Sequence, residues 1–498
     1  MADATEKGSA YNSGSGSDNG SREQVALYQR PTGLKGFYYH PVTQVVMLGF
    51  VCFMGPGLFN ALNGLGGGGK FDATTGANAN VALYSTFAVS AFFAGTINNK
   101  LGSRLTLLLG TTGYSLYIGS FLASNIHANA GPFVITAGAI LGVCAGLLWS
   151  AQGSLMLGYA TEGQKGVFIG IFWGIFNLGA VVGAAVSLGE NINNKANAVG
   201  NGTYIGFLIL TLIGVTIPMT MADPDKMVRT DGTKVTVGTH RSWKVELYGL
   251  YLTLVKDPMI IMLFPMFLAS NWFYTWQFND YNGAIFNART RSLNDFLYWL
   301  SQMFGSIAIG ALLDRKRLSR RVRAFSGWGI LVVMVFLVHI WAYFYQRNYT
   351  RADFTEDSVK IDFKNPEYGG RVVLYIFCGL LDAMWQTTAY WLMGAMSNDP
   401  AKLANFTGFY KAIQSAGGAG SWRVDAQKRP YMNLFISTWV LLAAGLVCTL
   451  PMIHLRVKNH TDLEEETLMR MDSEGQLHDA SEIRAAETAQ PPSEKEKA

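Results

Sequence analysis

Asp382 and Lys411 carry the sharpest chemical signal in the chain, because each falls near the middle of an otherwise apolar stretch. A charge at the centre of a membrane helix costs about 3 kcal/mol on insertion scales, and more without a partner. Mutual pairing is therefore the expected arrangement. Two readings follow: a substrate or coupling site, or a structural ion pair, since buried pairs seldom add net stability but can fix register. Asn177 and Gln414 are polar at similar depth, suited to hydrogen bonding across a cavity or to gluing helices together. Gln152, Asn60, Asn63, Asn279 and Asn282 join them as candidates, with Trp276 from an aromatic run between Trp272 and Tyr281. That run fits either a vestibule for an organic solute or an interfacial aromatic belt. No nucleophile–base or metal constellation is legible. Cys52, Cys144, Cys378 and Cys448 each stand alone in a different apolar segment, so neither disulfides, cofactor nor metal is expected.

The elements that position these residues follow from composition. Half the residues are apolar and 15% are charged, against about a quarter in soluble domains, which excludes an ordinary water-soluble globule. Basic residues are scattered among acids, so no nucleic-acid partner is expected. Apolar runs of bilayer length predict an all-α membrane protein of twelve helices, at 43–64, 80–98, 105–124, 133–157, 165–189, 203–221, 257–279, 293–313, 322–345, 371–396, 402–421 and 431–454. Residues 1–40 and 456–498 read as disordered tails, and 222–256 as a charged linker between helical halves at 41–221 and 257–455. No apolar run precedes residue 42, so the first helix is expected to direct insertion.

The halves are related. Phe278-Asn279-Asp280-Tyr281-Asn282-Gly283 repeats Phe59-Asn60-Ala61-Leu62-Asn63-Gly64 with four of six positions identical. Three more echoes keep the same order: Asn80-x-x-Leu83-Tyr84 with Asn294-x-x-Leu297-Tyr298, Gly95–Lys100 with Gly310–Arg315, and Trp149–Gly158 with Trp385–Gly394. A duplicated set of apolar segments is the pattern of a secondary transporter, with its site between the halves near mid-membrane. In that register Asp382 and Lys411 oppose Gly146 and Gly174, so the charges belong to one half only.

Lys100, Arg104, Lys226, Arg229, Lys234, Arg241, Lys244 and the basic run from Arg315 to Arg323 fall on one side, which the positive-inside rule makes cytosolic together with both termini. The sequons at Asn201 and Asn348 land on the other side, as glycosylation would require. Gly64 to Lys70 matches part of a phosphate loop, but Phe71 replaces the magnesium-binding hydroxyl. A flexible, closely packed glycine segment is the alternative to ATP binding. Gly166, Gly170, Gly174, Gly179 and Gly183 are spaced for close helix packing. The connector Gly95, Asn99, Lys100, Gly102, Arg104 and its echo Gly310, Asp314, Arg315 suit either a gate or plain positive-inside anchoring.

Four segments together resemble the Unc-ninety-three-like branch of the major facilitator superfamily, in its fungal form. They are Gly57–Gly69, Leu148–Gly153, Thr161–Gly166 leading into Phe172–Gly179, and Tyr281–Asn287 with Arg289 and Arg291. The resemblance covers residues 40–455 and implies two six-helix bundles around a central cavity, with the connector after helix 2 acting as a conformational latch. It leaves two functions open: a secondary transporter of a small organic solute, or a non-transporting regulator or chaperone of another membrane protein. The bilayer is a partner in both, and the plasma membrane and endomembranes are equally open. Glycosylation mapping tests the topology: sugar is expected on Asn201 and Asn348 and none on the sequons at Asn19 and Asn459, and sugar on either of the latter would overturn it.

Overall fold

The computed structural model describes residues 28–70, 72–161, 165–235, 243–315, 317–355, 358–397 and 400–459, with two short strands, Met469–Met471 and Leu477–Asp479. Among the described residues the long helical segments are α1 (Pro41–Gly64), α2 (Thr74–Leu101), α3 (Ser103–Ile126), α4 (Gly131–Tyr159), α5 (Lys165–Asn191) and α6 (Asn201–Thr220) in the first half. The second half holds α7 (Pro258–Gly283), α8 (Ala288–Leu313), α9 (Arg320–Gln346), α10 (Tyr368–Met396), α11 (Pro400–Ala426) and α12 (Tyr431–Arg456). Ten of them are long and apolar enough to cross a membrane. The other two, α2 and α11, pack against each other.

Several expected boundaries shift. Gly33–Tyr38 is helical rather than part of a disordered tail, held where the Tyr38 hydroxyl donates to the carbonyl of Thr220 at 2.6 Å. The linker contains a helix, Trp243–Lys256. The final segment includes the antiparallel pair of short strands, which apolar periodicity could not signal.

Close helix approach relies on glycine in both halves. A Cβ on Gly142 of α4 would sit 2.2 Å from the Leu83 carbonyl of α2, and one on Gly379 of α10 would sit 2.6 Å from the Tyr298 carbonyl of α8. The stripe on α5 splits in two. Gly179 and Gly183 pack against α1, whereas Gly170 and Gly174 have nothing within 4 Å of a Cβ position. The halves meet along α2 with α11 and along α5 with α8.

A π-helical turn accompanies both copies of the six-residue repeat. A π-turn at Phe53–Gly57, containing Pro56, precedes the α1 copy, and the α7 copy lies inside a π-segment, Thr275–Gly283. Such wide turns rotate the following side chains away from their α-helical directions and recur at functional positions. One consequence separates repeat-related residues: Asn60 faces the interior while Asn279 faces the other half.

Candidate functional site: a central cavity and its seal

A cavity of about 720 Å³ lies between the halves. Its wall runs from Pro56 and Asn60 at mid-depth of α1 to Ile169 near the start of α5 and to Gly310 and Asp314 at the end of α8. The cavity therefore reaches the end of the bundle that carries the linker. Its polar lining includes four of the expected substrate or coupling residues, Asn60, Asn177, Lys411 and Gln414, together with the expected gating residue Asp314.

Asp382 and Lys411 do not form the expected direct ion pair. Asp382 is buried behind the wall and accepts hydrogen bonds from Tyr298 Oη at 2.9 Å, from Gln386 Nε2 at 2.7 Å and from the amide of Gln302. Lys411 Nζ donates to Gln414 Oε1 at 3.1 Å, and Gln414 Nε2 donates to Gln386 Oε1 at 3.2 Å. The two charges are thus joined through two amides, Gln414 and Gln386. An amide is donor and acceptor at once, so it can face an ammonium with its oxygen and a carboxylate with its nitrogen. Gln386 lies one helical turn beyond Asp382, and that spacing was the available signal. Tyr298, on another helix, stood only in a repeat echo, and Gln302 had no signal.

The opposite end is closed, and the glycine run closes it. Gly66, Gly67, Gly68 and Gly69 have φ of 74°, 58°, 62° and 85°, a left-handed course that excludes most side chains. Arg291 of α8 reaches across and donates to carbonyls of the first half: Nε to Leu65 at 2.7 Å, Nη1 to Lys70 at 3.2 Å and to Asn197 at 3.1 Å, and Nη2 to Gly66. The loop presents oxygens to a cation, the reverse of a phosphate loop, which presents N–H groups to an anion. Asn279 Oδ1 accepts from Gly67 N at 2.7 Å, and Asn282 Nδ2 donates to Gly64 O at 2.9 Å. These two asparagines serve the seal and do not line the cavity. Ser187 and Ser292 meet across the halves at 3.0 Å.

Behind the seal, matching polar pairs brace each half. Asn80 donates to Asn63 at 3.2 Å and Asn294 donates to Asn282 at 3.0 Å, the same repeat-related positions in each case. Asn279 Nδ2 also donates to Asp425 Oδ2 at 2.6 Å, and Arg351 pairs with Asp425 while lying 3.5 Å from Asp280. Asp425 and Arg351 lie in sequence stretches that carried no motif.

The remaining candidates are structural in position. Trp276 is buried and donates to Gln346 Oε1 at 2.7 Å, so it belongs neither to a vestibule nor to a belt. Gln152 is buried against Met156 Sδ at 3.3 Å and does not line the cavity. At the open end Gly102, with φ 79°, makes the turn between α2 and α3. Arg104 pairs with Asp223 at the start of the linker at 2.7 Å and donates to Met219 O of α6 at 2.7 Å, rather than reaching across to the other half. Hydrogen bonds from Arg104 and then Lys226 hold the Asp223 carboxyl below its usual range. Gly95 is half-buried, Lys100 and Arg315 are exposed, and the Asn99 side chain lies outside the described residues. Asn201 and Asn348 both lie at the sealed end, at the start of α6 and just beyond α9.

Helices around a mid-depth cavity, open at one end and sealed at the other between two repeats, define a transporter-type membrane fold. The sequence model of the family described as "Ion channel regulatory protein UNC-93" matches residues 67–450. The chain therefore belongs to the UNC-93 family. It is 46% identical over 445 residues to a UNC93-like protein of Schizosaccharomyces pombe, covering 88% of each chain. It is 39% identical to UNC93-like protein 1 of Arabidopsis thaliana, covering 92% of this chain and 97% of that one. Among solved structures it resembles the partially occluded, inward-open xylose transporter XylE of E. coli, with a TM-score of 0.58 at 14% identity over 84% of this chain and 98% of that one. The nucleoside transporter NupG has a TM-score of 0.55 at 13% identity, covering 83% of this chain and 99% of that one. At such identities the likeness concerns the fold.

The seal is testable with spin labels at exposed His127 and Arg347, one on each half. Replacing Arg291 with Gln is expected to cost about 3 kcal/mol, roughly a hundredfold in the sealed-to-open ratio, on the scale of hydrogen bonds to charged groups. A longer distance population should appear, and an unchanged distribution would remove Arg291 from the seal. Lys360, in the loop before α10, donates to Gly283 O at 2.8 Å, and burial followed by the nearby Arg291 charge brings its pKa down from 10.5 to about 7. A released loop then binds more protons than a docked one between those pH values, so docking strengthens as pH rises through that window and its penalty is complete below about 7. A spin label at exposed Val359, next to Lys360, should therefore be more mobile at pH 6 than at pH 9, and a Lys360→Met chain should lose that dependence.

Proposed function

We propose that this chain is a secondary transporter of twelve membrane helices in two six-helix bundles, moving a small organic solute by alternating access. The observation that supports this best is the asymmetry of the cavity, which reaches the linker end beside Asp314 while Arg291 and the glycine run seal the other. On the charge-derived topology, with both termini and the linker cytosolic, this is the inward-facing state. Asn201 and Asn348 then face away from the cytosol and are candidate glycosylation sites. The connector residues Gly95 to Arg104 and Gly310 to Arg315 would close the cytosolic end in the alternate state, when the seal is broken.

Asp382, Lys411, Gln414, Asn177 and Asn60 are the proposed substrate and coupling groups, with Gln386 added as the link between the two charges. Gln302 and Tyr298 hold the Asp382 carboxylate in place. No catalytic role is assigned to any residue. A substrate that bound at Lys411 would alter the charge felt at Asp382 through the two amides, which gives solute and coupling ion a shared element to bias.

A second reading has a specific observation in its favour, the family's description as an ion channel regulatory protein. In that case the chain would bind another membrane protein, and its cavity would be inherited rather than used. Proteoliposome uptake separates the two. Asp382→Asn with Lys411→Gln preserves shape and hydrogen bonding, so the doubly changed chain is expected to fold with uptake lowered at least about tenfold. Full uptake would make the pair structural. Absence of uptake in the unaltered chain across sugars, nucleosides and organic acids, with preserved modulation of a co-reconstituted channel, would favour the regulator.

A further inference from the structure

We infer that the cavity takes a planar organic anion, its carboxylate held by Lys411 and its ring system laid against the Trp149, Trp173 and Tyr390 faces. This rests on the transporter reading and names its substrate class. The Lys411 ammonium donates to Gln414, which leaves further donor capacity on a group with three N–H bonds. It lies 5.8 Å from the ring centroids of Trp149 and of Tyr390 and 5.4 Å from that of Tyr410. An aromatic cage of this kind would ordinarily favour a cationic ligand. Here the cage already holds a cation, and a second would be repelled.

The anionic groups within reach are accounted for. Among the described residues lining the cavity, Lys411 and Asp314 alone are charged. Asp314 stands twelve residues beyond Gln302, about 18 Å along the helix by its rise per residue, at the cavity mouth. Asp382 lies behind the wall, its oxygens engaged by Tyr298, Gln302 and Gln386. The deep part of the cavity therefore presents one positive charge with no facing carboxylate. A neutral solute would leave that ammonium without a counter-charge in the deep part of the cavity.

The shape of the remaining solute follows from the aromatics. Trp149 and Trp173 stack at 6.2 Å with their planes 26° apart, and Trp173 meets Tyr390 of the other half at 6.3 Å. A flat ligand beside them touches both halves at once. The volume of about 720 Å³ suits a solute of drug-like size.

The test uses the full chain in nanodiscs and three probes that share one ring system: naphthoate, naphthamide and naphthylmethylamine, with binding measured by titration calorimetry. Naphthoate should bind at least about tenfold more tightly than either of the others, the scale of one charge-assisted hydrogen bond. Lys411→Gln should bring naphthoate down to the level of naphthamide, and Lys411→Arg should keep most of the preference. Equal binding of the three, tighter binding of the amine, no binding of any, or a preference that survives in folded Lys411→Gln would each overturn the assignment. Naphthoate binding without uptake into proteoliposomes would instead leave this site standing and refute transport of that probe.

Discussion

The structure depends on one buried guanidinium. Arg291 spends its hydrogen bonds on four backbone carbonyls of the other half, contributed by the glycine-rich run and the segment near Asn197. Carbonyl dipoles can stabilise a cation without adding a formal charge, so the seal needs no carboxylate on the first half. It does need a backbone whose carbonyls converge, and four successive residues at positive φ provide that geometry. A side chain on Gly66 would place its Cβ 2.1 Å from the Phe278 carbonyl. Both the path of the loop and the approach of the halves thus rest on the same glycine. A contact made of dipoles rather than an ion pair is also easier to exchange for water when the halves part, because no opposite charge is left stranded.

With one end held shut, two charges sit by the cavity, Asp382 behind its wall and Lys411 on it. Asp382 is enclosed and satisfied by neutral donors, while Lys411 faces the open volume. On the proposed transporter reading, their separation by Gln386 and Gln414 leaves each able to respond to a different partner, the solute at one and a coupling ion at the other. A direct pair would have satisfied both and left little for a ligand to do. The cross-half contact of Trp173 with Tyr390 lies beside the same group, so occupation of the cavity bears on how the halves meet.

Much of this was legible in the sequence because it depends on period and repetition. The order of the ten helices apolar enough to cross a membrane followed from the lengths of apolar runs, and the turn at Gly102 from its position between basic residues. The echo Asn63 with Asn282 and Asn80 with Asn294 marked positions that bond in the same pairs within each half. What stayed hidden depended on distance in space. Asn279 read as a counterpart of Asn60, yet the π-segment of α7 turns it toward Gly67. Arg291 stood just beyond the repeat with no visible partner, because its partners are backbone carbonyls of the other half, three of them more than two hundred residues away and that of Asn197 94 residues away. Asp382 and Lys411 were recognisable as a pair, but the amides between them were not, since only tertiary packing brings Gln386 and Gln414 together.

The central claim is that the cavity communicates with one side of the membrane while the seal closes the other. Thr387 lines the cavity, and a cysteine there can be probed with a membrane-impermeant thiol reagent in a background lacking the four native cysteines. In sealed vesicles of known orientation, reaction is expected when the reagent is on the side of the linker and to be at least about tenfold slower from the side of Asn201. Equal reaction from both sides, or faster reaction from the Asn201 side, would contradict the sealed arrangement.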